Sequence, residues 1–243
     1  MLLGCLSLYA ADNDLITRQI TINLEKAGTL PARIASSKKY KITNLKIIGE
    51  INGTDLRMIR EMAGSNSNGN STDGKLSVLD LSEAKIVKGG DCYLNNGYDY
   101  TSNDVIGSRA FLGCSGLTSL TLPADITSIG DEAFQGCSGL TSIYVYAEKV
   151  PKIDSNAFKG VDAKKCTVYV PMGTRDDYCA SDFGDYFENI VEFEATGIDK
   201  TTTSTDVEEV VRYSVNGQRL SAPTKGLNIV KYSDGSVKKV AVR

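Results

Sequence analysis

AFLGCSGLTSLTLP, from Ala110 to Pro123, is followed by AFQGCSGLTSIYVY, from Ala133 to Tyr146, and by AFKGVDAKKCTVYVP, from Ala157 to Pro171. Phe111, Phe134 and Phe158 stand 23 and then 24 residues apart. A period in the low twenties, with apolar residues spaced L-x-x-L-x-L, describes a solenoid whose coils each give one short strand and a return segment. Neither part can bury its apolar side alone, so the coils must stack. Function in such a fold belongs to an extended surface rather than to a catalytic pocket.

Aligning the coils fixes a geometry. Leu117, Leu120 and Leu122 correspond to Leu140, Ile143 and Val145, then to Val168 and Val170, and upstream to Leu76, Leu79 and Leu81. Leu45 and Ile48 make an earlier, degenerate coil. Side chains alternate across a strand, so these residues point inward and those between them outward. One outward column reads Asp80, Thr121, Tyr144, Tyr169, and the next reads Ser82, Pro123, Tyr146, Pro171. Tyr144, Tyr146 and Tyr169 thus crowd one end of an exposed sheet and become the first candidate ligand-binding residues. In the return segments Ile126 and Ile129 match Val150 and Ile153, each pair preceding an Ala-Phe that wedges beneath the next strand. Gly113, Gly136 and Gly160 follow the Phe at one offset, where a tight turn needs positive φ.

Upstream, Leu30 to Ala35 has a helical period, and Thr54 to Met62 predicts a short helix with Leu56, Ile59 and Met62 on one side. Gly64 to Gly74, GSNSNGNSTDG, reads as a polar loop. The spacing from Leu76 to Leu117 exceeds the 23-residue period by 18, and the excess falls around Lys88–Val105. That insertion carries Tyr93, Tyr98 and Tyr100 among Asn, Gly and Asp. Two readings of it stand: a recognition loop in which flat rings stack while polar neighbours hydrogen-bond, or a loop folded back over the solenoid flank.

The motifs INGTDLRMIREM at Ile51–Met62, LDLSEAKIVKGG at Leu79–Gly90, the two GCSGLTS units and CTVYVPMGTRDDY at Cys166–Tyr178 resemble the BspA-like leucine-rich repeats of bacterial surface proteins, abundant in Bacteroidetes. The resemblance runs from about Asp14 to Phe193. It implies an α+β leucine-rich repeat solenoid with short parallel strands, an N-terminal cap, and a terminal cap ending in FENIVEF. It also implies a surface or secreted location, with adhesion among the family's roles.

Composition agrees. A net charge of −3 and a pI near 5.2 argue against a nucleic-acid partner. The absence of histidine removes Ser-His-Asp and Cys-His catalysis and the usual His-containing zinc sites. Six cysteines stand at 5, 92, 114, 137, 166 and 179, with no C-x-x-C pair. Cys114 and Cys137 share a repeat position, where parallel in-register side chains favour two reduced, buried thiols over a strained bridge. No cofactor is called for.

The ends have a different character. MLLGCLSLYAA, residues 1–11, reads as the last part of a signal peptide, too short to span a bilayer. Leu2-Leu3-Gly4-Cys5 also resembles a lipobox, in which Cys5 would carry a lipid anchor. Residues 12–195 then hold the solenoid and its caps, and 196–205 form a Thr-rich linker. Residues 206–243 form a small all-β module with hairpin turns at Asn216-Gly217 and Asp234-Gly235. That tail is +3 against −6 for the rest. It resembles the C-terminal β-modules of exported Bacteroidetes proteins, some of which are sorting signals.

These features predict a non-catalytic surface or secreted protein that binds an extracellular protein or glycan. The alternative is a structural or assembly component of the cell envelope. An enzyme such as a glycosidase would need two convergent carboxylates across a cleft. Asp80 and the acids of Asp176–Asp185 supply no such arrangement.

Overall fold

The computed structural model describes residues 15–193, 209–214, 219–220, 222, 226–232 and 237–242. The sequence expectations for Cys5, residues 1–11 and the linker lie outside them. The chain divides into two compact units, Met1–Ala195 and Thr196–Arg243.

The first unit begins with β1 (Ile20–Leu24), α1 (Leu30–Arg33), α2 (Ser36–Lys39), β2 (Asn44–Ile51), α3 (Gly53–Met62) and β3 (Val78–Ile86). It continues with β4 (Val105–Ile106), β5 (Ser119–Thr121), β6 (Ser128–Ile129), β7 (Ser142–Tyr144) and β8 (Lys152–Ile153). β9 (Thr167–Pro171), α4 (Arg175–Cys179), α5 (Asp182–Tyr186) and β10 (Asn189–Phe193) complete it. One seven-stranded sheet runs β1-β2-β3-β5-β7-β9-β10 and every neighbouring pair in it is parallel. On the return side β4-β6-β8 form a second parallel sheet. The structure therefore has the stacked coils that the repeat spacing requires.

Register follows the inward leucines. Leu79, Leu120, Ile143 and Val168 pair successively, and all are fully buried. The degenerate coil differs from expectation at one residue. Leu45 and Ile47 are buried, while Ile48 is only half-buried. Alternation is the cause, since residues three apart face opposite ways; separately, the pairing of β2 with β3 shifts register, with Lys46 opposite Asp80 but Ile48 opposite Glu83. A bulge of this kind places an extra residue in one strand and re-aims the side chains beyond it.

Coil entry is marked by a ladder of hydroxyls. Thr118 Nα–H and Oγ1–H and Ser119 N–H all donate to Ser77 O, at 2.8, 3.1 and 3.0 Å. Thr141 and Ser142 repeat this on Thr118 O, Ser77 and Val78 on Thr43 O, and Thr43 donates twice to Ile16 O. The hydroxyl residue at this position is Thr43, Ser77, Thr118 or Thr141, the last two from the T-S dipeptides of the close repeats. The same ladder shows β1 and β2 to be coils of the one solenoid.

The Phe wedges form a second column. Phe111–Phe134 and Phe134–Phe158 stack at 5.3 and 5.1 Å between centroids, with nearly parallel planes. Phe187 meets Phe158 edge-on at 4.9 Å and Tyr186 does so at 5.5 Å, so the terminal cap closes the column with rings turned across it. The turn glycines 113, 136 and 160 have φ of 72°, 74° and 86°, as the repeat offset required.

Backbone bonds in these turns run from each coil to the next: Phe111 N–H to Ala133 O, Phe134 N–H to Ala157 O, Gly113 N–H to Gln135 O. The first turn's carbonyls therefore lack a preceding coil. Arg60, fully buried on α3, donates to Arg109 O and Ala110 O at 2.9 Å each and to Leu112 O at 3.2 Å. Tyr93 Oη–H donates to Ser108 O at 2.7 Å. Two side chains thus replace a missing coil. At the other end of α3, Asn52 and Asp55 form a capping box, and Asp55 also accepts from Gly28 N and Leu30 N at 2.5 and 2.9 Å.

The second unit is an antiparallel sheet of β11 (Glu209–Ser214), β12 (Arg219–Leu220), β13 (Gly226–Tyr232) and β14 (Val237–Val242), in the order β12-β11-β13-β14. Arg212 and Val230 face each other in register and both are buried.

Candidate functional site

The outward face of the seven-stranded sheet holds the candidate residues. Asp80, Thr121, Tyr144 and Tyr169 occupy one register row across β3, β5, β7 and β9. Lys46 on β2 and Val191 on β10 extend that row in both directions. Tyr144 and Tyr169 are half-buried and stack at 4.5 Å with planes 9° apart. Rings in register on neighbouring strands have this arrangement because strand spacing, about 4.8 Å, nearly equals stacking distance.

Tyr146 belongs to the adjoining row and meets Phe193 edge-on at 5.0 Å. Phe193 pairs in register with Pro171, so the two rings come from strands on either side of β9 and close over that proline, which is buried. Phe193 also touches Tyr144 at 5.8 Å. The sequence reading missed Phe193 as a member of this cluster. Its signal was present: Val168 and Ile190 stand 22 residues apart, which puts Phe193 outward beside Pro171.

Beside the rings lies a charged group. Lys46 Nζ is 2.6 Å from Glu83 Oε1 and 3.4 Å from Asp80 Oδ2. Residues three apart in a regular strand face opposite ways; the bulge in this pair lets Asp80 and Glu83 converge on one lysine. The hydrogen bond to Glu83 raises the Lys46 pKa against the opposing effect of burial. Burial raises Tyr146, and the Asp80 carboxylate raises it further, which marks the charged group and the tyrosines as neighbours. Burial likewise raises Tyr144.

The insertion behaves differently from residue to residue. Tyr93 is 1 % exposed and holds the first turn through Ser108 O, so it cannot meet a ligand and is withdrawn as a binding residue. Tyr98 and Tyr100 are 85 % and 51 % exposed. Their loop is tied down: Asn95 N–H donates to Ser67 O, Arg57 bonds Asn95, and Asn96 Oδ1 accepts from Tyr98 and Asp99. Among the described residues, no ring contact joins Tyr98 or Tyr100 to the sheet tyrosines. Nor do they hold a cluster of three or more His, Cys, Asp or Glu able to take a metal ion.

A parallel sheet of leucine-bearing coils, closed by capping side chains and carrying aromatic and charged residues outward, defines a leucine-rich repeat solenoid. Residues 100–213, just under half of the chain, match the model of the BspA type leucine rich repeat region in 6 copies. That match supports placing this solenoid with the BspA-like repeats, and β1, β2 and β3 lie upstream of the matched stretch. No curated protein matches the chain. Among the described residues no helix is long and apolar enough to cross a membrane.

Proposed function

We propose that this chain is a non-catalytic binding protein of the cell surface or the secreted fraction, and that its outward sheet face captures an extracellular protein or glycan. The observation that carries this reading is the cluster Tyr144, Tyr146, Tyr169 and Phe193 on a face with no core to fill. Tyrosine is favoured in recognition because a large rigid area is buried at small entropic cost. The repeat-family match supports protein binding and a surface location. A Tyr144→Ala, Tyr169→Ala double variant should lose capture on an array of matrix proteins and glycans while its thermal midpoint stays within a few degrees. Full binding by a folded double variant would move the site to Tyr98 and Tyr100. Concentration-dependent self-association without any ligand would favour an assembly role instead.

A further inference from the structure

The two ends of the seven-stranded sheet are complementary halves of one ladder. Inward residues direct their backbone groups to the following coil: Leu122 N–H donates to Tyr144 O and Val145 N–H to Tyr169 O, at 2.9 Å each. Outward residues direct theirs to the preceding coil, as Ser119 N–H does to Ser77 O. Among the described residues β1 has no preceding strand and β10 no following one. By the same rule Thr21 and Asn23 on β1 turn N–H and C=O off the sheet edge, and Ile190 and Glu192 on β10 do so at the other edge. Arg175 Nε–H donates to Ile190 O at 3.1 Å, which occupies one of that carbonyl's two lone pairs. Unpaired edges of this kind accept a further strand.

Charge divides between the same two ends. Residues 15–41, which form the first coil, hold six Lys or Arg against one Asp or Glu, a net +5. That end stays at +3 with Asp12 and Asp14 counted. Residues 172–193, which form the terminal cap and β10, hold one Lys or Arg against six Asp or Glu, a net −5. Exposed apolar side chains mark both ends as well, Leu15 at the first and Met172 and Val191 at the last. We propose that the β10 end of one chain docks on the β1 end of a second copy, head to tail, and continues the parallel sheet. In that register Val191 stands beside Thr21 of the next copy, because both belong to the outward row that holds Lys46 and Tyr169. A two-fold contact would set like charge against like, so the match requires a heterologous contact, which propagates as an open row. An anionic lipid surface would satisfy the β1 end alone. The inference goes beyond the face reading and differs from assembly through the face, since the row leaves Tyr144 and Tyr169 free and repeats them.

Sedimentation equilibrium of the purified full chain tests this. Average mass should rise with concentration in about 0.01 M salt and fall back towards monomer in about 1 M, as the Debye length shrinks from about 30 to about 3 Å. Exchange of β1 and β10 amides should slow about tenfold in the assembled sample. Lys26→Glu, Arg33→Glu, Lys38→Glu reverses one end, and Asp177→Lys, Asp185→Lys, Glu188→Lys the other; all six side chains are exposed. Each triple variant should be monomeric alone with the circular dichroism of the parent. Their equal mixture should give dimers and nothing larger, because each keeps one native end. A parent that stays monomeric at low salt overturns the proposal, as does either variant associating like the parent or a mixture that stays monomeric. Unchanged amide exchange in the assembled sample overturns the strand pairing. Binding to phosphatidylglycerol vesicles without self-association gives the basic end to a membrane and overturns the second copy. Tyr144→Ala, Tyr169→Ala should assemble like the parent; loss of assembly there would assign the contact to the face and overturn the end-to-end row. Assembly without any ligand capture by the face leaves this inference standing and removes the capture reading.

Discussion

Single residues in this fold are decided by whether a column accepts them. Phe134 has a stacked ring on each side, at 5.3 and 5.1 Å, and is fully buried. Phe134→Ala should cost on the order of 3–5 kcal/mol, because the neighbouring coils are held by their own ladders and cannot collapse into the gap. Chemical denaturation would measure it; an unchanged midpoint would mean the wedge carries no packing. Cys114 and Cys137 are free and fully buried, as their shared repeat position implied, and Cys166 is buried too. Burial pushes the Cys114 and Cys166 thiols from 9.0 to about 12 and Cys137 well above 9.0. The folded chain thus holds these protons more tightly than the unfolded one. Stability from this source is full below pH 9 and is lost as pH rises towards about 12. Native alkylation at pH 8 should modify the exposed Cys179 and leave Cys114, Cys137 and Cys166 intact; a linked Cys114–Cys137 peptide in unreduced protein would refute the ladder of thiols.

Elements show where sequence legibility ends. Strand positions, the inward leucines, α3 and the positive-φ glycines were readable because each is set by a local period or a near-identical copy. The bulge between β2 and β3 was not, since β2 alternates regularly and only the pairing of Lys46 and Ile48 with Asp80 and Glu83 reveals the extra residue in β3. That bulge brings Glu83 beside Asp80 on Lys46, so the reading that put Asp80 in one outward column with Tyr144 and Tyr169 missed its charged partners. Arg60 escaped for another reason. An arginine on a helix reads as solvated surface, yet here burial lowers its pKa and its hydrogens serve carbonyls some 50 residues away. Nothing local encodes that. Tyr93 stood between two readings, recognition loop or fold-back, and its burial agrees with the second, but nothing local named the Ser108 carbonyl that holds it. Arg60→Met should destabilise by about 3 kcal/mol, since it leaves several buried carbonyls unpaired, and Arg60→Lys should recover only part because ammonium cannot fork across the turn. Tyr93→Phe should cost about 1–2 kcal/mol for the single carbonyl it abandons. Equal stability of Arg60→Lys and the parent in urea titrations would show that the forked geometry is irrelevant.

At the scale of the whole solenoid, the matched family stretch and the folding unit have different limits. The match starts at residue 100, but the sheet, the hydroxyl ladder and the Arg60 cap all reach back across β3, β2 and β1. Stacked coils contribute through nearest-neighbour interfaces, and an end coil without its cap exposes an apolar face and a strand edge. Cutting at residue 100 would strip Leu79 and Leu81 from beside the Leu120 and Leu122 strand. It would also remove the guanidinium that closes the first Phe turn. A fragment of residues 100–195 should therefore lack a cooperative thermal transition, whereas residues 15–195 should unfold in one step. Circular dichroism melts of the two, with dispersion of amide resonances as a second readout, separate the cases. A cooperative melt of the short fragment near the midpoint of the long one would show that β1, β2 and β3 are an appendage. The repeat core would then be complete without the side-chain cap that α3 and the insertion supply.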